Sequence, residues 1–89
     1  MLTSDLTYDQ LDTVISRAAG RTLTPNEAFE YCEAQGLYAT TNQDTTRGDQ
    51  LYLCVYDGGE ALESSPVLAI KRAFVLKTFG TSVDDGGLQ

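Results

Sequence analysis

Thirteen Asp and Glu against six Lys and Arg, a formal charge of −7, two cysteines, five tyrosines and no histidine make up the reactive groups of this chain. Paired carboxylates can perform general acid–base chemistry, as in glycoside hydrolysis, when the environment pushes their proton affinities apart. A chain of 89 residues offers little room for the deep cleft that this requires. Without histidine the commonest general base and metal ligand is missing, and Ser-His-Asp or Cys-His triads are excluded. Cys32 and Cys54 form no Cys-x-x-Cys pair and have no histidine to complete a zinc site. Two readings of them remain open: buried reduced thiols, or a disulfide if their elements pack face to face at a Cα separation near 5.5 Å.

Phosphate and metal motifs fare no better. No GxxxxGK(S/T) loop is present, and Gly58-Gly59 reads as turn chemistry. Asn42, Asp44 and Thr46 match the first alternating ligands of a calcium loop. However, Arg47 stands where glycine is needed and Leu53 where the closing glutamate belongs. No enzymatic activity, cofactor or metal is expected.

What remains is a charged surface suited to binding. Residues 1–63 carry eleven acids and only Arg17, Arg21 and Arg47 as bases, whereas residues 64–89 carry Asp84 and Asp85 against Lys71, Arg72 and Lys77. Such a surface repels phosphate backbones and attracts basic ones. Glu27, Glu30 and Glu33 recur along one helical segment, and Asp44, Asp49 and Asp57 flank a hairpin that carries Tyr52. These seven residues are the candidate partner-binding set, with tyrosine supplying contact area at low entropic cost. The partner expected is a protein with a basic surface. Direct nucleic-acid binding is not expected, because base-stacking tyrosines need Lys and Arg beside them. The competing interpretation is simple solubility.

The elements that would position this set can be read from capping and periodicity. Leu11, Val14, Ile15 and Ala18 make an apolar stripe over a helix from about Tyr8 to Ala19, with Thr7 and Gln10 as a capping box and Gly20 as its stop. Thr24-Pro25-Asn26-Glu27 opens a second helix, with Ala28, Phe29 and Cys32 inward and Gly36 closing it. Residues 37–41 read as a strand and Asn42 to Asp49 as a polar hairpin loop. Gln50 to Tyr56 reads as a strand apolar on both faces, central or covered on both sides. Asp57-Gly58-Gly59 turns the chain. Ser65-Pro66 then starts a last segment, Val67 to Phe79, that fits a helix, although Ala73 to Leu76 is apolar all round and also fits a buried strand. Lys71, Arg72 and Lys77 run from its middle to its last turn, toward the end where a helix dipole favours cations, which supports the helix.

The fold class expected is therefore α+β, a small single domain of order α-α-β-β-α with an antiparallel β-hairpin packed against helices. Residues 1–80 form the domain and residues 81–89 a flexible tail. No run approaches a membrane span and the N-terminus does not resemble a signal peptide, so the cytoplasm is the expected compartment. The Val67–Phe79 segment, apolar all round at Ala73 to Leu76, is covered either by the chain's own core or by a second copy in a homodimer.

Two functional readings follow. The run Phe29 to Val55, a helix leading through Gly-Leu into strand, loop and strand, resembles the middle of a winged helix, which implies a DNA-binding transcriptional regulator with Arg47 at the wing tip. The recognition helix would then present Glu27, Glu30 and Glu33 to the groove, the wrong charge for it. The favoured reading is a small acidic, non-enzymatic protein-binding module. In size and charge it is similar to inhibitors from phages and mobile elements, anti-CRISPR proteins among them, that occlude a basic nucleic-acid-binding surface of a host protein.

Overall fold

The capping chemistry starts the helices where the sequence places it. Thr7 accepts from the Gln10 N–H while the Gln10 side chain accepts from the Thr7 N–H, a reciprocal box that opens α1 (Tyr8–Ala19). The same box between Thr24 and Glu27, followed by Pro25, opens α2 (Pro25–Ala34). Ser65 caps α3 (Pro66–Phe79) by accepting from the Leu68 N–H. Three strands, β1 (Ala39–Asn42), β2 (Leu51–Tyr56) and β3 (Gly59–Glu63), form one antiparallel sheet in the order β1-β2-β3. A short 3-10 turn over Thr3–Asp5 precedes α1. The computed structural model describes residues 2–42 and 51–83, and these form a single α+β fold.

The sheet extends the expected hairpin by one strand. β3 escapes a reading by alternation because its two apolar side chains, Ala61 and Leu62, are adjacent and therefore point to opposite faces. It is joined to β2 by the two-residue turn Asp57-Gly58, with Tyr56 opposite Gly59. The Tyr56 ring folds back over that turn. A Cβ on Gly58 would lie 3.1 Å from the ring edge, and one on Gly59, whose φ is +155°, would lie 3.3 Å from the phenol oxygen. At the other end, β1 starts at Ala39, two residues later than the sequence pattern implies. Leu37 is nonetheless buried.

β2 is central in the sheet, as its apolar composition implies, but it is covered on one side only among the described residues. The register Ala39↔Cys54↔Ala61 and the partly buried Tyr52 and Tyr56 define the inner face, packed on the core. On the outer face, Val55 is 64% exposed and Leu62 45% exposed.

α3 is the middle layer. It touches all three strands on one side, α1 and α2 on the other, and the 3-10 turn at its flank. The segment is a helix rather than a strand, and Ala69 through Val75 are buried without interruption, two cations among them. Tyr31 of α2 meets Phe74 edge-on, with ring centroids 5.6 Å apart at 80°. The single chain thus encloses the central turns of α3 by itself. At its ends, Pro66 and Lys77 to Phe79 are exposed, and Val67, Leu68 and Leu76 are partly so.

Lys71 and Arg72 are not dipole-complementing surface residues. They lie mid-helix, 2% and 8% exposed. Lys71 Nζ donates to Asp12 Oδ1 of α1 at 2.6 Å and lies 6.0 Å from the centre of the Tyr8 ring. Arg72 donates through Nη1 to the Thr3 carbonyl at 2.6 Å and through Nη2 to the Leu6 carbonyl at 3.1 Å. The Glu63 carboxylate of β3 lies against its Nε, held by charge, since the Nε–H is not aligned on an acceptor. Thr3, fully buried, completes the clasp. Its hydroxyl donates to the Gly80 carbonyl at 2.7 Å and its N–H to the Thr81 carbonyl at 2.9 Å, while Leu2 and Ser82 form an isolated bridge. Residues 81–83, the start of the expected tail, are thereby tied to the N-terminus, and Val83 is buried. Residues 84–89 lie outside the described residues.

Removing one member of a desolvated ion pair leaves the other charge unmatched, whereas removing both restores an apolar interior. Lys71→Met is expected to destabilise the fold by about 3 kcal/mol. Lys71→Met combined with Asp12→Leu should recover most of that loss. Urea unfolding followed by circular dichroism checks both; equal losses in the single and double variants would contradict the pairing.

Candidate functional site

α2 carries the first three candidate residues. Glu27, Glu30 and Glu33 are all exposed and, at a spacing of three, share one outward strip of the helix. The inward side is fixed by Ala28 and Cys32, both buried, so the carboxylates have no choice of face. The Thr24 N–H and hydroxyl hold the Glu27 carboxyl below its ordinary range, with Arg21, 3.8 Å away, adding to the effect.

The hairpin residues are placed elsewhere. Asp57 is exposed in the β2–β3 turn. Tyr52 is half-buried on the inner sheet face, against the core rather than beside Asp57 on a common outer surface. Asp44 and Asp49 lie outside the described residues, as do Arg47 and the rest of the 43–50 connection. Among the described residues α2 touches α1 and α3 and no strand. The structure therefore brings Glu27, Glu30 and Glu33 together, but sets them across α3 from Asp57 and Tyr52.

Charge at the surface differs from charge in the sequence. Counting by residue types leaves the C-terminal third slightly basic, yet two of its three cations are internal and matched by Asp12 and Glu63. Among the described residues, seven exposed carboxylates (Asp5, Asp9, Glu27, Glu30, Glu33, Asp57, Glu60) face three exposed cations (Arg17, Arg21, Lys77). Two of those cations, Arg17 and Arg21, line a shallow hollow at the C-terminal end of α1.

One cavity, of about 290 Å³, opens where the first turns of the three helices meet, lined by Tyr8, Asp9, Asp12, Pro25, Asn26, Phe29, Val67 and Lys71. Sequence reasoning missed it because its residues come from three separate segments. The only local signal was a cation inside an apolar helix. Its electrostatics are balanced: the helix N-termini and Lys71 favour an anion, while Asp9 and Asp12 oppose one. No group of three or more metal-ligating side chains occurs among the described residues, and no described helix is long and apolar enough to cross a membrane.

Both cysteines are free and buried, which resolves the choice between thiols and a disulfide in favour of thiols. Burial raises the Cys32 thiol to about 12 and also raises Cys54. No family model, curated protein or solved structure matches the chain.

Two outcomes follow for the titrating groups. Iodoacetamide at pH 8 should leave Cys32 and Cys54 unmodified in the folded protein and label both after denaturation, read by mass spectrometry. Because the folded state holds the Cys32 proton from an ordinary value of 9.0 up to about 12, stability should fall as pH rises through that interval. Cys32→Ala should flatten that part of a pH–stability curve, and a slope unchanged by the substitution would contradict the assignment.

Proposed function

We propose that this chain is a non-enzymatic acidic binding module that docks the carboxylate strip of α2 on a basic surface of another protein and keeps nucleic acid off it. One observation carries the reading: among the described residues seven exposed carboxylates face three exposed cations, and three of those carboxylates are aligned on one helix face. A strip of this kind competes with a phosphate backbone for the same lysines and arginines. An inhibitor of the phage or mobile-element type, anti-CRISPR-like in size and charge, is the biological form this reading takes, with the cytoplasm as its setting. Nothing on the exposed face of α2 supports the winged-helix alternative, since a helix entering the major groove there would present Glu27, Glu30 and Glu33 to it.

The test is capture from a bacterial lysate by the tagged protein and by the triple variant Glu27→Gln/Glu30→Gln/Glu33→Gln. Glutamine at position 27 preserves the capping box, so the variant keeps its helix. The captured partner should be displaced by duplex DNA and by salt that shortens the Debye length to about 3 Å. The triple variant should bind it roughly tenfold more weakly, or worse, equivalent to about 1.4 kcal/mol. Capture indifferent to salt, DNA and the three substitutions would overturn the proposal.

A further inference from the structure

Among the described residues, the outer face of the sheet leaves several apolar side chains open. The register sets Leu53 directly opposite Leu62, with Val55 the next outward residue along β2. Tyr38 alternates with the inward Leu37 and Ala39, continues the same face and is 72% exposed. Val55, at 64%, and Leu62, at 45%, are exposed far beyond what a strand packed on both sides would show. Scattered surface apolar residues need no explanation, but a contiguous set on one sheet face does.

The segments outside the described residues are mostly polar in sequence, with Met1 and Leu88 as their apolar side chains. Residues 43–50 read Gln-Asp-Thr-Thr-Arg-Gly-Asp-Gln, and residues 84–89 contain a single apolar side chain, Leu88. A second copy is a poor occupant as well. Glu60 pairs opposite Val55 and Asp57 stands in the adjoining turn, while β1, β2 and β3 carry no Lys or Arg, so two such faces would oppose like charges across an apolar centre. An apolar centre with a charged rim is the anatomy of a protein-binding surface, and the sign of this rim selects the complement.

We propose that the outer sheet face centred on Val55, Leu53, Leu62 and Tyr38 is a docking surface for a protein segment with apolar side chains flanked by Lys or Arg. It lies across α3 from the carboxylate strip of α2, so it stands independently of that strip's role and gives the module a second face.

The test places a photo-crosslinking residue at position 55, and in a second preparation at position 30, and sequences the peptides crosslinked in a bacterial lysate. The inference expects position 55 to join a peptide with an apolar residue beside Lys or Arg. It also expects the double variant Val55→Ser/Leu62→Ser, both exposed and so compatible with the fold, to weaken binding of a synthetic copy of that peptide at least tenfold. Glu27→Gln/Glu30→Gln/Glu33→Gln should leave it unchanged. Crosslinks at 55 only to another copy of this chain, with a dimer in sedimentation that Val55→Ser/Leu62→Ser dissolves, would replace the partner by self-association. No crosslink at 55, or an acidic peptide there, would overturn the proposal. Crosslinks at 30 without any at 55 would leave the α2 reading standing and remove this one.

Discussion

Lys71 and Arg72 sit in the one helix that every other element touches, and two cations in that position must be matched where they lie. Desolvating a charge costs several kcal/mol unless opposite charge and hydrogen bonds replace water. That requirement selects a partner from each neighbouring layer: Asp12 from α1, Glu63 from β3, and the Thr3 and Leu6 carbonyls from the N-terminal turn. Apolar packing of Ala69, Ala73 and Val75 alone would tolerate rotation of α3 about its axis, because an all-apolar helix has no preferred face. The two ionic contacts, pointing to opposite layers, remove that freedom. In this fold buried charge serves as a registration device.

The same arrangement shapes the exterior. Each internal cation is matched by one carboxylate, so the pairs are neutral and the exposed charges of the described residues are seven carboxylates against three cations. α2 shows its acids, the outer sheet face shows apolar side chains bordered by Glu60 and Asp57, and Arg17 of α1 and Arg21 just beyond it lie together at the C-terminal end of α1. The two thiols, Cys32 and Cys54, are enclosed in the core, and burial raises both.

Much of this was legible in the sequence, and for identifiable reasons. Thr7, Thr24, Ser65, Pro25 and Pro66 are local signals, and each acts within three residues of where it stands. The inward face of α2 and the placement of Glu27, Glu30 and Glu33 opposite it follow from helical periodicity. Long-range contacts were not legible. The cations of α3 could be located along the helix but not assigned to Asp12, 59 residues away, or to the Thr3 carbonyl, 69 residues away. β3 was hidden because Gly59-Glu60-Ala61-Leu62-Glu63 lacks alternation; pairing with β2 and the Arg72–Glu63 contact place it. Alternation assigns Tyr52 to a face of β2 but not that face to solvent; in the structure it is half-buried on the inner face.

Amine acetylation tests the central claim most directly, because the chain has only two lysines, Lys71 and Lys77. Treating the folded protein with a mild acetylating reagent and mapping the products should show Lys77 modified and Lys71 untouched, with Lys71 becoming reactive only after denaturation. Acetylation of Lys71 at a rate similar to Lys77, in protein whose circular dichroism is unchanged, would mean that the cation is not internal and that α3 is not registered by it.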